Sequence, residues 1–69
     1  MKISTRNVVK GKVLKVEIGA INAEVVLEVA PGVELTGIIT KASAESLGLA
    51  EGSEAYALIK ASDIMFGVD

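Results

Sequence analysis

The sequence predicts an all-β fold: a small five-stranded OB-like Greek-key barrel with one short helix between strands three and four. Three observations lead there. The chain divides into five strand-like runs rich in Val, Ile and Leu, joined by tight turns. Only Ala42–Leu47 combines good helix formers with no β-branched residue. No internal repeat, low-complexity stretch or linker interrupts the pattern, so residues 1–69 read as a single domain. An SH3-like barrel fits the same strand pattern almost as well.

Each element has its own signal. Val8–Ile18 is rich in Val, Leu, Ile and Lys and lacks a helix cap, so it reads as the first strand. Ile18-Gly19-Ala20 follows as a hairpin turn, where glycine accepts positive φ at little steric cost. Asn22–Val29 alternates: Ala23, Val25, Leu27 and Val29 face one side, and Asn22, Glu24 and Glu28 the other, with Val26 among them. Ala30-Pro31-Gly32 breaks this strand, because proline pre-sets the turn and glycine completes it. Val33–Ile39 is the third strand, with Val33, Leu35 and Ile39 on one face. Thr40 is placed to cap the helix and Gly48 to end it, with Leu47 and Leu49 expected to fix it to the barrel. After the Glu51-Gly52-Ser53 turn, Glu54–Ile59 is the fourth strand. Tyr56 and Leu58 share one face, and Ala55, Ala57 and Ile59 the other. Lys60–Asp63 interrupts the pattern, and Ile64–Val68 is expected to be a short fifth strand.

Size limits what such a barrel does alone. A chain near 60 residues buries only about 60% of the surface its unfolded form exposes. This chain has 69 residues with no Cys and no His, so disulfides and the common zinc sites are absent as staples. Yet 51% of its residues are hydrophobic and its mean hydropathy is +0.53. Oligomerisation is the expected source of the missing burial. Seven Lys and Arg against nine Asp and Glu give a net charge of −2, which argues against a general nucleic-acid binder. Tyr56 and Phe66 are the only aromatics, too few for a base-stacking platform. No apolar run approaches the roughly 18 residues of a membrane span. Met1-Lys2-Ile3-Ser4 lacks the apolar core of a secretory signal, so the cytoplasm is the expected compartment.

Three polar clusters stand out in this apolar chain: Ser4-Thr5-Arg6-Asn7, Thr40-Lys41-Ala42-Ser43 and Lys60-Ala61-Ser62. Each joins a hydroxyl to a cation, and none holds a carboxylate or a histidine. Nucleophilic catalysis would need a base. Ser43 or Ser62 with Lys60 mimics a Ser–Lys pair, but nothing in the sequence adds an oxyanion hole, and the chain reads as a non-enzyme. Glu24 and Glu28 read as a solvated edge without calcium-loop spacing. An oxyanion fits the clusters better. A tetrahedral dianion offers four acceptor oxygens, received by hydroxyl and N–H donors and balanced by one or two cations. Thr40 and Ser43, three apart at the helix start, aim both hydroxyls and the free N–H groups of the first turn toward one point. Arg6 and Lys60 supply the charge. Taken singly, each has an ordinary role: a cap, a first-turn serine, a solvated cation. The combination carries the inference.

These segments also give the chain a close resemblance to the molbindins, single-domain molybdate-binding proteins of the TOBE/Mop family. It rests on Ile3-Ser4-Thr5-Arg6-Asn7, Gly11-Lys12-Val13, Gly19-Ala20-Ile21-Asn22-Ala23-Glu24-Val25, Ile38-Ile39-Thr40-Lys41-Ala42-Ser43, Leu47-Gly48-Leu49 and Ala57-Leu58-Ile59-Lys60-Ala61-Ser62, nearly the whole chain. The resemblance implies an OB-like five-stranded barrel that binds molybdate, and usually tungstate, between subunits, with no organic cofactor and no bare metal cation. It implies a hexamer built as a trimer of dimers. In the dimer the N-terminal strand of one chain is expected to join its partner's sheet, setting Arg6 beside Thr40, Ser43 and Lys60 of another chain. The matching ligands are Ser4, Arg6, Thr40, Ser43, Lys60 and Ala61, the last through its backbone. Some relatives carry a hydroxyl residue at the Ala61 position, and Ser62 is its neighbouring replacement here. A second kind of site, near the oligomer axis, is expected at the Gly19–Asn22 turn. The implied role is intracellular storage of the oxyanion without catalysis. Two rivals remain: an OB-type nucleic-acid-binding module, against which the acidic balance counts, and a purely structural oligomerisation domain.

Overall fold

One long strand organises the molecule. In the computed structural model, which describes all 69 residues, β1 (Asn7–Ile18) is followed by β2 (Asn22–Ala30), β3 (Val33–Thr40), α1 (Lys41–Leu47) and β4 (Glu54–Ile59), with a 3-10 turn at Ala61–Asp63. The strands form one antiparallel sheet in the order β3-β2-β1-β4. β1 divides its 12 residues between two neighbours. Asn7–Lys12 pairs with β4, from Asn7↔Ile59 to Lys12↔Glu54, and Lys12–Ile18 pairs with β2, from Lys12↔Glu28 to Ile18↔Ala23. A strand that hands over from one partner to the other at its midpoint curls the sheet toward a barrel.

A bulge makes this curl possible. The β1–β2 register shifts between Val13 and Lys15, so Leu14 is the extra residue. Before it, the odd positions Asn7, Val9, Gly11 and Val13 are the less exposed ones; after it, Leu14 and Val16 are. One inserted residue thus reverses the phase of the strand and bends it. Lysines record the change on the outer face, at positions 10, 12 and then 15. At Gly11 the strands approach closely: a Cβ there would lie 2.5 Å from the Glu28 carbonyl oxygen and 2.8 Å from Leu27 Cγ. Only glycine permits that contact.

Helix α1 is capped at both ends. Thr40 Oγ1 accepts the Ser43 N–H, and Gly48, at φ 65°, turns the chain out of the helix while Leu49 N–H donates to the Ala44 carbonyl. Its contact with the sheet differs from expectation. Ala44 is the buried helix residue and Leu49 is half-buried, whereas Leu47 is 69% exposed. Seven residues make two turns, and the stripe facing the sheet is centred on Ala44.

The all-β class and the helix between the third and fourth strands are as the sequence predicts, but the strands number four, not five. Ile64–Val68 is not part of the sheet. The 3-10 turn, closed by Asp63 N–H to the Lys60 carbonyl at 2.9 Å and Ile64 N–H to the Ala61 carbonyl at 3.4 Å, redirects the chain away from β4. Met65–Asp69 makes no backbone hydrogen bond, and Phe66 is 95% exposed. The core is correspondingly small: Val13, Ala23, Leu27 and Ala44 are the only buried residues. No helix is long and apolar enough to cross a membrane.

Candidate functional site

β1–β4 pairing brings the first and third polar clusters together. Thr5 Oγ1 donates to the Ile59 carbonyl at 3.0 Å, and Asn7 Nδ2 donates to the same oxygen at 3.1 Å. Both residues are half-buried, as the alternation of an extended segment requires when Ser4 and Arg6 face solvent. Ile59 ends β4, so its carbonyl lies immediately before Lys60-Ala61-Ser62. Two side chains therefore clamp the N-terminal segment to the base of the C-terminal cluster. Ser4, Arg6, Lys60, Ala61 and Ser62 all lie exposed around that clamp. Thr5 and Asn7 are outside the expected ligand set, and their role is to position residues that belong to it.

The cations in this cluster are uncommitted. Two ion pairs occur in the chain, Lys10–Glu54 at 2.9 Å and Lys15–Glu17 at 3.0 Å. A hydrogen bond to Glu54, reinforced by its charge, holds Lys10 above the usual lysine range, and Glu17 does the same for Lys15. Arg6, Lys41 and Lys60 form no such pair. Asp63, within the 3-10 turn, is the one carboxylate close in sequence to the cluster.

Thr40 and Ser43 lie elsewhere. Thr40 pairs with Asn22, which follows the far end of β1. The whole of β1, on the order of 36 Å at about 3.3 Å per residue if straight, runs between the end near this cluster and the end near the other two. Thr40 Oγ1 donates to Ser43 Oγ at 2.8 Å while accepting Ser43 N–H at 3.0 Å. That leaves the Ser43 hydroxyl proton free for a ligand. Two N–H groups expected to be free are used: Lys41 N–H donates to the Ile21 carbonyl at 2.7 Å and Ser43 N–H to Thr40. The helix start thus offers hydroxyls more than backbone donors.

The resemblance groups Lys60 with Thr40 and Ser43, opposite Arg6 of another chain. Within one chain, the β1–β4 ladder brings the Lys60 segment to the end of β1 that carries Ser4 and Arg6, while Thr40 and Ser43 lie by the other end. The Gly19–Asn22 turn, closed by Gly19 N–H to the Asn22 carbonyl at 2.7 Å, opens onto a groove whose walls include Glu17 and Glu24. On a single chain those carboxylates repel an anion.

Comparison with known proteins adds an independent line. A family model described as the TOBE domain matches residues 3–66. The chain belongs to the TOBE family. This TOBE chain is 52% identical over 65 residues to molybdenum-pterin-binding protein 1 of Clostridium pasteurianum, covering 94% of this chain and 96% of that one. It is 45% identical over 69 residues, the full length of both, to a probable molybdenum-pterin-binding protein of Haemophilus influenzae. Among solved structures, MopII from Clostridium pasteurianum superposes with a TM-score of 0.91 at 46% identity, over 97% of this chain and 100% of that chain. The cytoplasmic molybdate-binding protein ModG, solved with molybdate bound, superposes with a TM-score of 0.93 at 43% identity. The TOBE chain is covered completely in that match and spans 49% of ModG.

Proposed function

We propose that this protein is a single-domain binder of molybdate that holds the oxyanion between subunits, as a cytoplasmic store, and leaves it chemically unchanged. Tungstate, with the same charge and almost the same size, is the second ligand. One observation carries the reading: Arg6 and Lys60, both free of carboxylate partners, sit beside the exposed hydroxyls of Ser4 and Ser62 at one clamped end of the β1–β4 ladder. Two cations balance a dianion, and charge-assisted bonds are roughly twice as strong as neutral ones. ModG, solved with molybdate bound, supports molybdate as the dianion.

In this reading Ser4, Arg6, Lys60, Ser62 and the backbone of Ala61 form one half of the site. Thr40 and Ser43, which lie by the opposite end of β1, supply the other half from a neighbouring copy. The expected assembly is a homo-oligomer, a hexamer arranged as a trimer of dimers. Calorimetric titration with molybdate, using sulfate as competitor, is the test. Saturable binding at micromolar molybdate is expected, and no binding in that range would end the proposal.

A further inference from the structure

We infer that Lys41 draws the dianion to its site through space, as a third cation that does not bond to the anion. This rests on the proposed anion site and adds a residue outside its ligand set. The observation is how the chain distributes its charge. Of the seven cations, Lys10, Lys12 and Lys15 are engaged on the sheet. Lys10 pairs with Glu54 and Lys15 with Glu17, while Lys12 lies opposite Glu28 on one neighbouring strand and Glu54 on the other. The remaining cations, Lys2, Arg6, Lys41 and Lys60, are exposed and form no ion pair. All of them lie in or beside the three polar clusters, so each cluster keeps an uncommitted positive charge.

The net charge of the molecule makes that arrangement matter. It is −2 for each chain, and assembly multiplies it. A dianion in solution is repelled by such a particle as a whole. A locally positive region is what attracts it. Arg6 and Lys60 balance the bound dianion, and Lys41, next to Thr40 in the sequence, adds a surplus charge from the neighbouring copy.

Lys41 has no competing use in its own chain. Its backbone N–H donates to the Ile21 carbonyl at 2.7 Å, which fixes the residue against the Gly19–Asn22 turn. Its ammonium pairs neither with Glu45, one turn further along α1, nor with any other acid. In the first turn of a helix a cation opposes the dipole, so helix stability does not account for it. Cα–Cβ bonds lean toward the start of a helix, which leads the lysine stem back toward Thr40. Its ammonium is a compact, strongly hydrated point charge on a flexible stem. Such a group acts at a distance while keeping its water, and the hydroxyls of Thr40 and Ser43 supply the directional bonds.

Salt separates the two kinds of charge. The screening length falls from about 30 Å at about 0.01 M to about 3 Å at about 1 M. A through-space attraction is lost over that range, and a direct bond in a closed site is screened much less. Molybdate is titrated calorimetrically into the assembled wild type, Lys41→Gln, Lys41→Arg and Arg6→Ala at both salt concentrations. Comparing each variant with the wild type in the same salt cancels competition by the salt anion. Lys41→Gln is expected to bind about two- to fivefold more weakly at low salt and equally well at high salt. Lys41→Arg is expected to match the wild type in both, and Arg6→Ala to be weakened in both. A Lys41→Gln defect of the same size in both salts would mark Lys41 as a contact ligand and overturn the inference, as would no defect at low salt. Failure of the wild type to bind is a separate result, which ends the anion site and this inference with it.

Discussion

At the scale of the residue, Thr5 and Asn7 explain how short polar clusters far apart in sequence become one surface. Both donate to the Ile59 carbonyl. They hold Ser4 and Arg6 beside Lys60 without belonging to the expected ligand set. Arg6→Ala and Lys60→Ala are each expected to weaken molybdate binding, because each removes one of two charges balancing a dianion. A hydrogen bond to a charged group contributes about 1.5–3 kcal/mol, which corresponds to roughly 10- to 100-fold in Kd by calorimetry. Wild-type affinity in both variants would place the site elsewhere. Thr5→Val removes one neutral bond and is expected to lower stability by about 0.5–1.5 kcal/mol in urea denaturation. Gly11→Ala acts differently: its Cβ would overlap the Glu28 carbonyl oxygen. Overpacking of this kind costs about 1–3 kcal/mol, and the measurement is again the urea midpoint.

At the scale of the element, the sequence made the strands and the helix legible because their punctuation is local. Pro31 and Gly32, Thr40 and Gly48, and Gly52 act through their own backbones, and the observed boundaries fall within one residue of the expected ones. The bulge at Leu14 left a trace in the lysine spacing of 10, 12 and 15, which a strict alternation over Val8–Ile18 passes over. Deleting Leu14 leaves Val13 and Val16 on the inner face in plain alternation but removes the bend, and is expected to lower the urea midpoint. An unchanged midpoint would deny the bulge its role. Helix α1 gives a milder test: Thr40→Ala loses the cap, at about 1 kcal/mol, and leaves Ser43 without its partner. What was not legible is which clusters meet. Strand pairing across more than 50 residues decides that the segments carrying Arg6 and Lys60 lie at one end of the β1–β4 ladder, and no local signal in either segment encodes it. The same holds for Ile64–Val68, whose composition reads as a strand while the 3-10 turn before it leaves the segment outside the sheet.

At the scale of the whole molecule, four buried residues in a chain of 69 are a core too small to account for its hydrophobic composition. Full burial of an apolar side chain the size of Met, Phe or Val contributes about 1.5–3 kcal/mol, and three such side chains wait in the C-terminal segment alone. Stability that comes from association depends on concentration, so dilution is expected to lower the thermal midpoint. In the proposed assembly, the two ends of β1 on different copies bring the separated polar clusters together. The central claim is thus a dianion held at a seam: Ser4, Arg6, Lys60, Ala61 and Ser62 from one chain, Thr40 and Ser43 from another. A crystal of the assembled protein soaked in tungstate tests this most directly, because the anomalous signal of the heavy atom marks the anion. The account predicts a peak within hydrogen-bonding reach of Arg6 and Lys60 of one chain and of Thr40 or Ser43 of its neighbour; a tungstate enclosed by a single chain, or bound away from Arg6 and Lys60, would contradict it.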